Sequence, residues 1–257
     1  MTTARKTVFI SVIVLVLGIA GGYAYLLWAK DDAPAALGTT DLDQALTTPP
    51  ATGEPPATAA AATTATAETT AATATASTVS TADAGVDGTW TISQDSTLGY
   101  RVQEVLGGVD TEGAGRTNQV TGELIIAGSQ VTAVVFCGDL ASVTSDSDRR
   151  DGQFRSRIMS TDEFPTSTFV LTSPIDIGAT PAEGATVEAT ATGDLTLRGV
   201  TNSVTFPVQA KLENGRIGVL GTIPVRFSDY GIPDPSNAFA TVKDNGTLEF
   251  VLVLDRA

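Results

Sequence analysis

Two different hydrophobic patterns divide the chain, and the first lies at its N-terminus. Residues 8–28 form a predominantly apolar run without a charged residue, and Arg5 and Lys6 precede it. About 20 such residues span the roughly 30 Å hydrocarbon core of a bilayer as a helix, and basic residues favour the cytoplasmic side. The run predicts a cytoplasmic N-terminus and a single transmembrane anchor over residues 1–30, with the remainder of the chain outside the cytoplasm.

A cleaved secretory signal is the alternative for the same residues, because it also joins basic residues to an apolar stretch. Signal-peptide cores usually have about 7–15 residues, which is shorter than this run. Trp28, Lys30 and two aspartates follow the run, where a cleavage site would need small residues. The length favours an uncleaved anchor, and both interpretations export the chain to an extracytoplasmic position at the cell membrane.

The second pattern has a period of two and begins at about residue 88. Alternating apolar and polar residues are typical of strands with one buried face. Because such strands follow one another at short spacing, residues 88–257 are predicted to form one all-β domain, an antiparallel barrel or sandwich. The alternation is clearest in five stretches: 120–126, 195–197, 204–212, 223–227 and 248–254.

Local patterns predict the turns and one helix of this domain. Asn214-Gly215 and the Asp-Asn-Gly sequence at 244–246 each predict a hairpin turn. Phe154 and Ile158 stand four residues apart, and Ser145 or Ser147 precedes them as a candidate helix cap. A short helix that lays both apolar side chains against the sheet is therefore expected.

Residues 31–87 differ from both patterns because they consist mainly of Ala, Thr and Pro. They contain no aromatic residue, and the threonines and prolines interrupt any steady apolar stripe. Too little apolar surface is then available to offset the conformational entropy of ordering the backbone. The composition predicts a disordered linker that gives the domain reach from the membrane.

Charge and composition narrow the chemistry. The chain has a net charge of −14, no histidine and one cysteine. An acidic surface repels phosphate backbones, which argues against nucleic acid as a partner. The lack of histidine excludes a Ser-His-Asp triad and a histidine metal site, and no motif singles out a carboxylate pair. We therefore expect a protein that is not an enzyme and has no metal or cofactor. Cys137 is in phase with Val131, Ala133 and Val135, which predicts a small buried residue.

Four motifs then occur in a characteristic order. They are Trp90-Thr-Ile with Ser96 to Tyr100; Ser142-Val-Thr-Ser with Arg150-Asp151, Phe164-Pro165 and Phe169; Gly193 to Thr201; and Arg226 to Ile232. Together they resemble the YceI-like family, bacterial exported proteins with a lipocalin-like barrel that bind polyisoprenoids and other long-chain lipids. The resemblance implies an antiparallel barrel of about eight strands around an apolar ligand. That family often has a histidine where this chain has Gln103-Glu104, so a different head-group preference is expected if the histidine contacts ligand in relatives.

The resemblance also implies candidate ligand-binding residues. The apolar tail is expected among Phe154, Ile158, Phe164, Phe169, Phe227 and Tyr230, with Tyr100 or an arginine such as Arg150 near the polar end. The arginines at 149, 150, 155 and 157 have a second interpretation, a solvated helix face with local pairing, which charge runs usually mark. The aromatic residues likewise have a second interpretation as core filling.

These observations lead to one hypothesis and two rivals. The hypothesis is a membrane-anchored extracytoplasmic barrel that holds a long-chain apolar ligand, such as a polyisoprenoid, a fatty acid or amide, or a quinone-like molecule, as carrier, buffer or sensor. The first rival is a stalked interaction or adhesion module with a filled core and no ligand. The second is an enzyme acting on hydrophobic substrates. The sequence leaves open whether the chain is a monomer or a homodimer.

Overall fold

A computed structural model of the protein describes residues 33–47, 85–178, 181–237 and 240–257. The predicted transmembrane anchor and much of the predicted linker lie outside these ranges. Among the helices that are described, none has the length and apolar character needed to cross a bilayer.

The described part of the chain forms a β-domain with a few short helices. Its strands are β1 Gly88–Ile92, β2 Thr97–Leu106, β3 Val109–Thr117, β4 Val120–Ala127, β5 Gln130–Asp139, β6 Thr144–Ser145, β7 Thr166–Leu171, β8 Ile175–Asp176, β9 Thr186–Leu197, β10 Val200–Glu213, β11 Arg216–Val225 and β12 Ala240–Arg256. Its helices are α1 Thr39–Thr47, α2 Asp148–Gln153, a π-helical turn Phe154–Ile158 and a 3₁₀ helix Phe227–Tyr230.

Eight strands close into an antiparallel barrel. Their hydrogen-bonded order is β1-β4-β5-β7-β9-β10-β11-β12, and β12 returns to β1 by pairing Arg256 with Trp90 and Leu254 with Ile92. The other part of β12 pairs with β2, which pairs with β3, and β3 pairs with β6. The predicted all-β barrel of about eight strands with a short helix is confirmed.

One predicted hairpin is confirmed and the other is wrong. Asn214 and Gly215, with φ of 54° and 72°, join β10 to β11. Residues 244–246 instead lie inside β12, at an irregularity between Val242 and Gly246. The Asp244 carboxylate accepts hydrogen bonds from the backbone N–H of Ser228 (2.9 Å) and from its hydroxyl (2.7 Å). This polar sequence therefore anchors the start of the 3₁₀ helix and does not reverse the chain.

The predicted position of Cys137 in the core is also wrong. A bulge in β5 pairs Ala133 with Ile125 but Val131 with Ile126, so that one extra residue enters β5. Since side chains alternate between faces along a strand, the extra residue exchanges the two faces beyond it. Phe136 is therefore buried (2% exposed), whereas Cys137 is half-buried with its sulfur 3.7 Å from the Thr168 hydroxyl.

The expectation of a disordered linker is wrong for Thr39–Thr47, which form α1. Leu42 and Leu46, one helical turn apart, are each 1% exposed and pack with Val251 and Val253 on the outer face of β12. Gly218 of β11 permits this close approach, because a Cβ atom there would lie 2.5 Å from Leu42 Cδ1. Leu42 and Leu46, with Leu37 and Ala45 beside them, thus dock a helix from an Ala/Thr-rich stretch onto an apolar patch of the sheet.

A buried ionic cluster fastens the chain just before α1. The Glu249 side chain is 3% exposed and lies 3.0 Å from the guanidinium of Arg116 and 3.4 Å from that of Arg101. Arg101 also donates to the carbonyl oxygen of Pro34 (2.6 Å), and the backbone N–H of Leu37 donates to Glu249 (3.3 Å). Residues 34–47 therefore lie along the outside of the barrel.

Candidate functional site

Phenylalanine side chains fill the middle of the barrel. The ring centroid of Phe136 lies 5.3 Å from that of Phe169 and 5.2 Å from that of Phe250. Phe206 completes the group, 5.3 Å from Phe169 and 6.1 Å from Phe250. Each of the four residues is at most 2% exposed. We call this group the phenylalanine plug, and it divides the interior into two cavities.

The larger cavity lies on one side of the plug and has a volume of about 410 Å³. Its apolar walls come from β2, β11, β12 and the helical segment over the opening. At the other end the lining becomes polar, with charged side chains from β2, β3 and α2. The lining includes Leu98, Tyr100, Val102, Glu104, Glu112, Leu140, Val143, Arg149, Arg150, Phe154, Ile158, Met159, Leu197, Val225, Phe227, Ile232 and Leu248.

The helical segment over this cavity is positioned by its own polar contacts. Asp151, 5% exposed, accepts hydrogen bonds from the backbone N–H (2.8 Å) and hydroxyl (2.6 Å) of Ser145. Phe154 and Ile158 follow on the π-helical turn and face the cavity. The predicted short helix that lays these two side chains against the sheet is confirmed, although it continues as a π-helical turn.

Charges at the polar end are largely paired. Arg150 forms ion pairs with Asp146 and with Glu104, the latter at 3.3 Å, and Glu112 pairs with Arg101 at 2.9 Å. Arg149 is exposed and lines the cavity. Because guanidinium and carboxylate charges alternate there, the polar end of the cavity carries no large excess of either sign.

The other two arginines of the basic stretch point away from the cavity. Arg155 donates to the carbonyl oxygen of Val143 (3.2 Å). Arg157 donates to those of Asp234 (2.9 Å) and Pro235 (2.7 Å). These two side chains link the helical segment to neighbouring loops, whereas Arg149 and Arg150 line the cavity.

Tyr100 marks the boundary between the apolar and polar parts of the large cavity. Its ring stacks on Phe154, with centroids 4.9 Å apart and an angle of 8° between the planes. Burial raises the pKa of the Tyr100 phenol to about 12, against a smaller lowering by Arg150. The phenol therefore stays protonated at neutral pH, when it can donate or accept a hydrogen bond at the cavity wall.

The structure brings together five of the eight residues predicted to bind ligand: Tyr100, Arg150, Phe154, Ile158 and Phe227 line the large cavity. The other three are elsewhere. Phe169 belongs to the plug and faces the smaller cavity. Phe164 is half-buried beneath the Arg198 guanidinium, 5.8 Å from its ring centroid, and Tyr230 is 3% exposed. Neither of these two lines the large or the small cavity.

Several wall residues were missed, although the sequence carried a signal for some of them. On β2 the residues Leu98, Tyr100, Val102 and Glu104 all face the large cavity. Their spacing of two is the alternation of a strand with one inward face, and Glu104, a charged residue at an inward position, indicates the polar end. Leu140, Met159 and Ile232 lie in loops or at element ends, where no period predicts which side chains turn inward.

The smaller cavity lies beyond the plug and has a volume of about 100 Å³. Its walls are almost entirely apolar, with the four rings of the plug at one end and Ile126, Val208, Leu252 and Leu254 among the aliphatic side chains. No described residue lines both cavities. Of these two cavities, only the one next to α2 has the volume of an ordinary ligand pocket.

Among the described residues no cluster of three or more Cys, Asp or Glu side chains is placed to hold a metal ion. The acidic residues at the large cavity are instead engaged with arginines.

Comparison with known proteins gives one family match and several similar folds. The model of the YceI-like domain matches residues 90–254. A polyisoprenoid-binding domain from Saccharophagus degradans, implicated in plant cell wall breakdown, has a TM-score of 0.54 at 17% identity, covering 66% of this chain and 98% of that chain. BcnA of Burkholderia cenocepacia has a TM-score of 0.48 at 19% identity, covering 61% and 95%. The Campylobacter jejuni YCEI protein has 0.45 at 15%, covering 56% and 85%. The curated proteins gave no match.

Proposed function

Since the chain belongs to the YceI-like domain family, we propose that it binds a lipid in the large cavity of its barrel. The observation that carries the proposal is the graded lining of this cavity, from Leu98 and Leu248 at its base to Glu104 and Arg150 at its polar end. Ligand pockets commonly have volumes of about 300–1,000 Å³ with mainly apolar walls and a few polar groups that fix orientation. An amphipathic molecule with its tail toward the plug matches this gradient.

Binding without catalysis is part of the proposal. The acids at the cavity, Glu104 and Glu112, are ion-paired, and Tyr100 has a pKa too high to act as a base near neutral pH. A carrier, buffer or sensor requires only a cavity and a means of exchange. The polyisoprenoid-binding domain of similar fold supports an isoprenoid or another long-chain apolar molecule as the ligand class.

The proposed place of action is the extracytoplasmic face of the cell membrane. The apolar run at residues 8–28 and the preceding Arg5 and Lys6 support a single-pass anchor with a cytoplasmic N-terminus. A tethered barrel would meet lipids at the bilayer surface, where such ligands are made or consumed.

Lipid analysis of matched variants tests the function. The full chain would be isolated in copolymer nanodiscs, extracted with organic solvent and analysed by mass spectrometry. Val102→Trp fills the large cavity and Val219→Trp the small one; both valines are half-buried wall residues. We expect a lipid species enriched with the wild type and with Val219→Trp but reduced to the level of bulk membrane lipid with Val102→Trp. Equal lipid profiles for all three proteins would contradict the proposal.

The filled middle of the barrel favours a second candidate, the interaction module. The plug and the small cavity leave much of the interior solid. In that case the same nanodisc preparation would contain no enriched lipid, and crosslinking of the full chain would recover a protein partner from wild type and from Val102→Trp alike.

A further inference from the structure

We propose that the closed base of the large cavity, which the phenylalanine plug supports from behind, limits the apolar chain of the ligand to about a dozen carbon atoms. This inference rests on the proposed function and specifies its ligand class: a linear amphiphile with one chain of medium length, or the first segment of a longer one whose remainder stays outside. The closed base, with the plug behind it, would then be the specificity-determining element of the barrel.

The closed end is several layers thick. Leu98, Leu197 and Leu248 line the base of the large cavity. Leu195 and Ile223, each 0% exposed, come next along β9 and β11 and line neither cavity. The four rings of the plug follow, and only then the small cavity begins. A ligand tail that reached the small cavity would have to displace two layers of buried side chains.

Two glycines leave the space that two rings of the plug occupy. A Cβ atom at Gly221 would lie 2.3 Å from Phe250 Cζ, and one at Gly193 would lie 2.5 Å from Phe169 Cζ. Each ring therefore occupies the space that a side chain on the neighbouring strand would otherwise take. Rotating a ring out of this seat would leave a void behind it and require the neighbouring rings to move as well, because protein interiors are close-packed. The base of the cavity is rigid for this reason.

The depth of the cavity sets the length limit. The inward face of β2 runs from Leu98 at the base to Glu104 at the polar end, about 20 Å along the strand and about 15 Å along a barrel axis tilted by about 40°. An extended chain advances about 1.2 Å per single bond, as the extended backbone does over three bonds per residue. About a dozen carbon atoms therefore extend from the polar end to the base.

A chain-length series on the full protein in nanodiscs tests the limit. Saturated 1-alkanols of about eight to about eighteen carbons would compete with 11-(dansylamino)undecanoic acid, with empty nanodiscs correcting for partition into lipid. Each methylene buried in the cavity should raise affinity about fourfold. We expect this increase to stop near a dozen carbons in the wild type, because further methylenes remain at the exposed polar end.

Two matched valines locate the limit within the barrel. Val225 (7% exposed) lies one inward position from Ile223 on the large-cavity side, and Val208 (8% exposed) lies one inward position from Phe206 on the small-cavity side. Val225→Phe raises the floor of the large cavity and should move the plateau to chains shorter by a few carbons. Val208→Phe occupies the small cavity and should leave the plateau unchanged.

The possible outcomes separate this inference from the proposed function. If neither the dansyl probe nor any alkanol binds the wild type above empty nanodiscs, the lipid-binding function itself fails. If alkanols bind but affinity keeps rising through the longest chain, or if Val208→Phe shifts the plateau as much as Val225→Phe, lipid binding stands and the length limit is overturned.

Discussion

The two cavities share one barrel and several of the same strands, yet they differ about fourfold in volume, with about 410 Å³ against about 100 Å³. Along β12, Leu248 faces the large cavity whereas Leu252 and Leu254 face the small one. At the small end strands β1, β4 and β5 close the wall with aliphatic side chains. At the large end the cover is α2 and the π-helical turn. The end of the barrel that helices cover thus contains more empty space than the end that strand side chains fill.

Polarity differs between the cavities as much as volume does. The lining of the small cavity includes two charged residues, Glu123 and Lys211, among mostly aliphatic side chains. The lining of the large cavity includes two acids and two arginines: Glu104, Glu112, Arg149 and Arg150. An apolar void of this kind is a packing feature, because apolar cavities of modest size remain empty of water. Volume and a polar end together, and not hydrophobicity alone, distinguish a binding site from an imperfection in the core.

The largest expected effect contrasts a leucine of the solid middle with a leucine of the open cavity. Leu195→Ala removes atoms from a site that is 0% exposed and contacts neither cavity, so we expect a loss of about 4–5 kcal/mol of unfolding free energy. Leu248→Ala only enlarges an existing cavity and should cost about 2–3 kcal/mol. Urea unfolding of the full chain followed by circular dichroism measures both. Equal losses would mean that the large cavity is no more open than the plug region.

An intermediate effect is expected at the polar end of the large cavity. Arg150→Ala leaves Glu104, whose side chain is 12% exposed, without its ion-pair partner, and we expect a loss of about 1–2 kcal/mol in urea unfolding. Arg226→Ala is the matched control, because the Arg226–Asp244 pair has side chains 68% and 49% exposed. The control should change stability little, since solvent screens exposed pairs. If Arg226→Ala lost as much unfolding free energy as Arg150→Ala, the Arg150–Glu104 ion pair at the polar end of the large cavity would not be stabilising as described.

The smallest effect concerns the pH dependence that Tyr100 confers. Burial raises its pKa from 10.0 to about 12, so its contribution to stability is complete below pH about 10 and is lost as the pH rises toward about 12. In that interval the unfolded chain has ionised its phenol while the folded chain has not. Tyr100→Phe should therefore lose stability less steeply over this interval, as measured by urea unfolding at several pH values. Parallel pH profiles for both proteins would show that Tyr100 is not buried as described.

Much of the fold was predictable because alternation is a local property. The stretches 120–126, 204–212 and 248–254 all lie within strands, and the Asn214-Gly215 turn has its expected positive φ angles. The bulge in β5 was not predictable from the alternation alone, since it depends on pairing with a distant strand. It exchanged the faces of Phe136 and Cys137, and thus decided which of them entered the plug.

The candidate site was predictable only in part, for a related reason. Five of the eight expected residues line the large cavity, because the family pattern marks the strands and helix that surround it. Phe169 has the same aromatic character but belongs to the plug and faces the small cavity. Whether an aromatic side chain lines a cavity or fills it depends on the residues opposite, here glycines such as Gly193. A single sequence does not contain that information.

Because α1 docks on the barrel, the chain contacts the folded domain both before and after the Ala/Thr/Pro-rich residues 48–84. Leu42 and Leu46 hold one end of residues 48–84 on the outer wall, and Val86, 4% exposed, holds the other in the core. A proteolytic cut between these two points would leave two fragments still joined by noncovalent contacts. The chain is thus held against the barrel on both sides of residues 48–84, at α1 and at Val86.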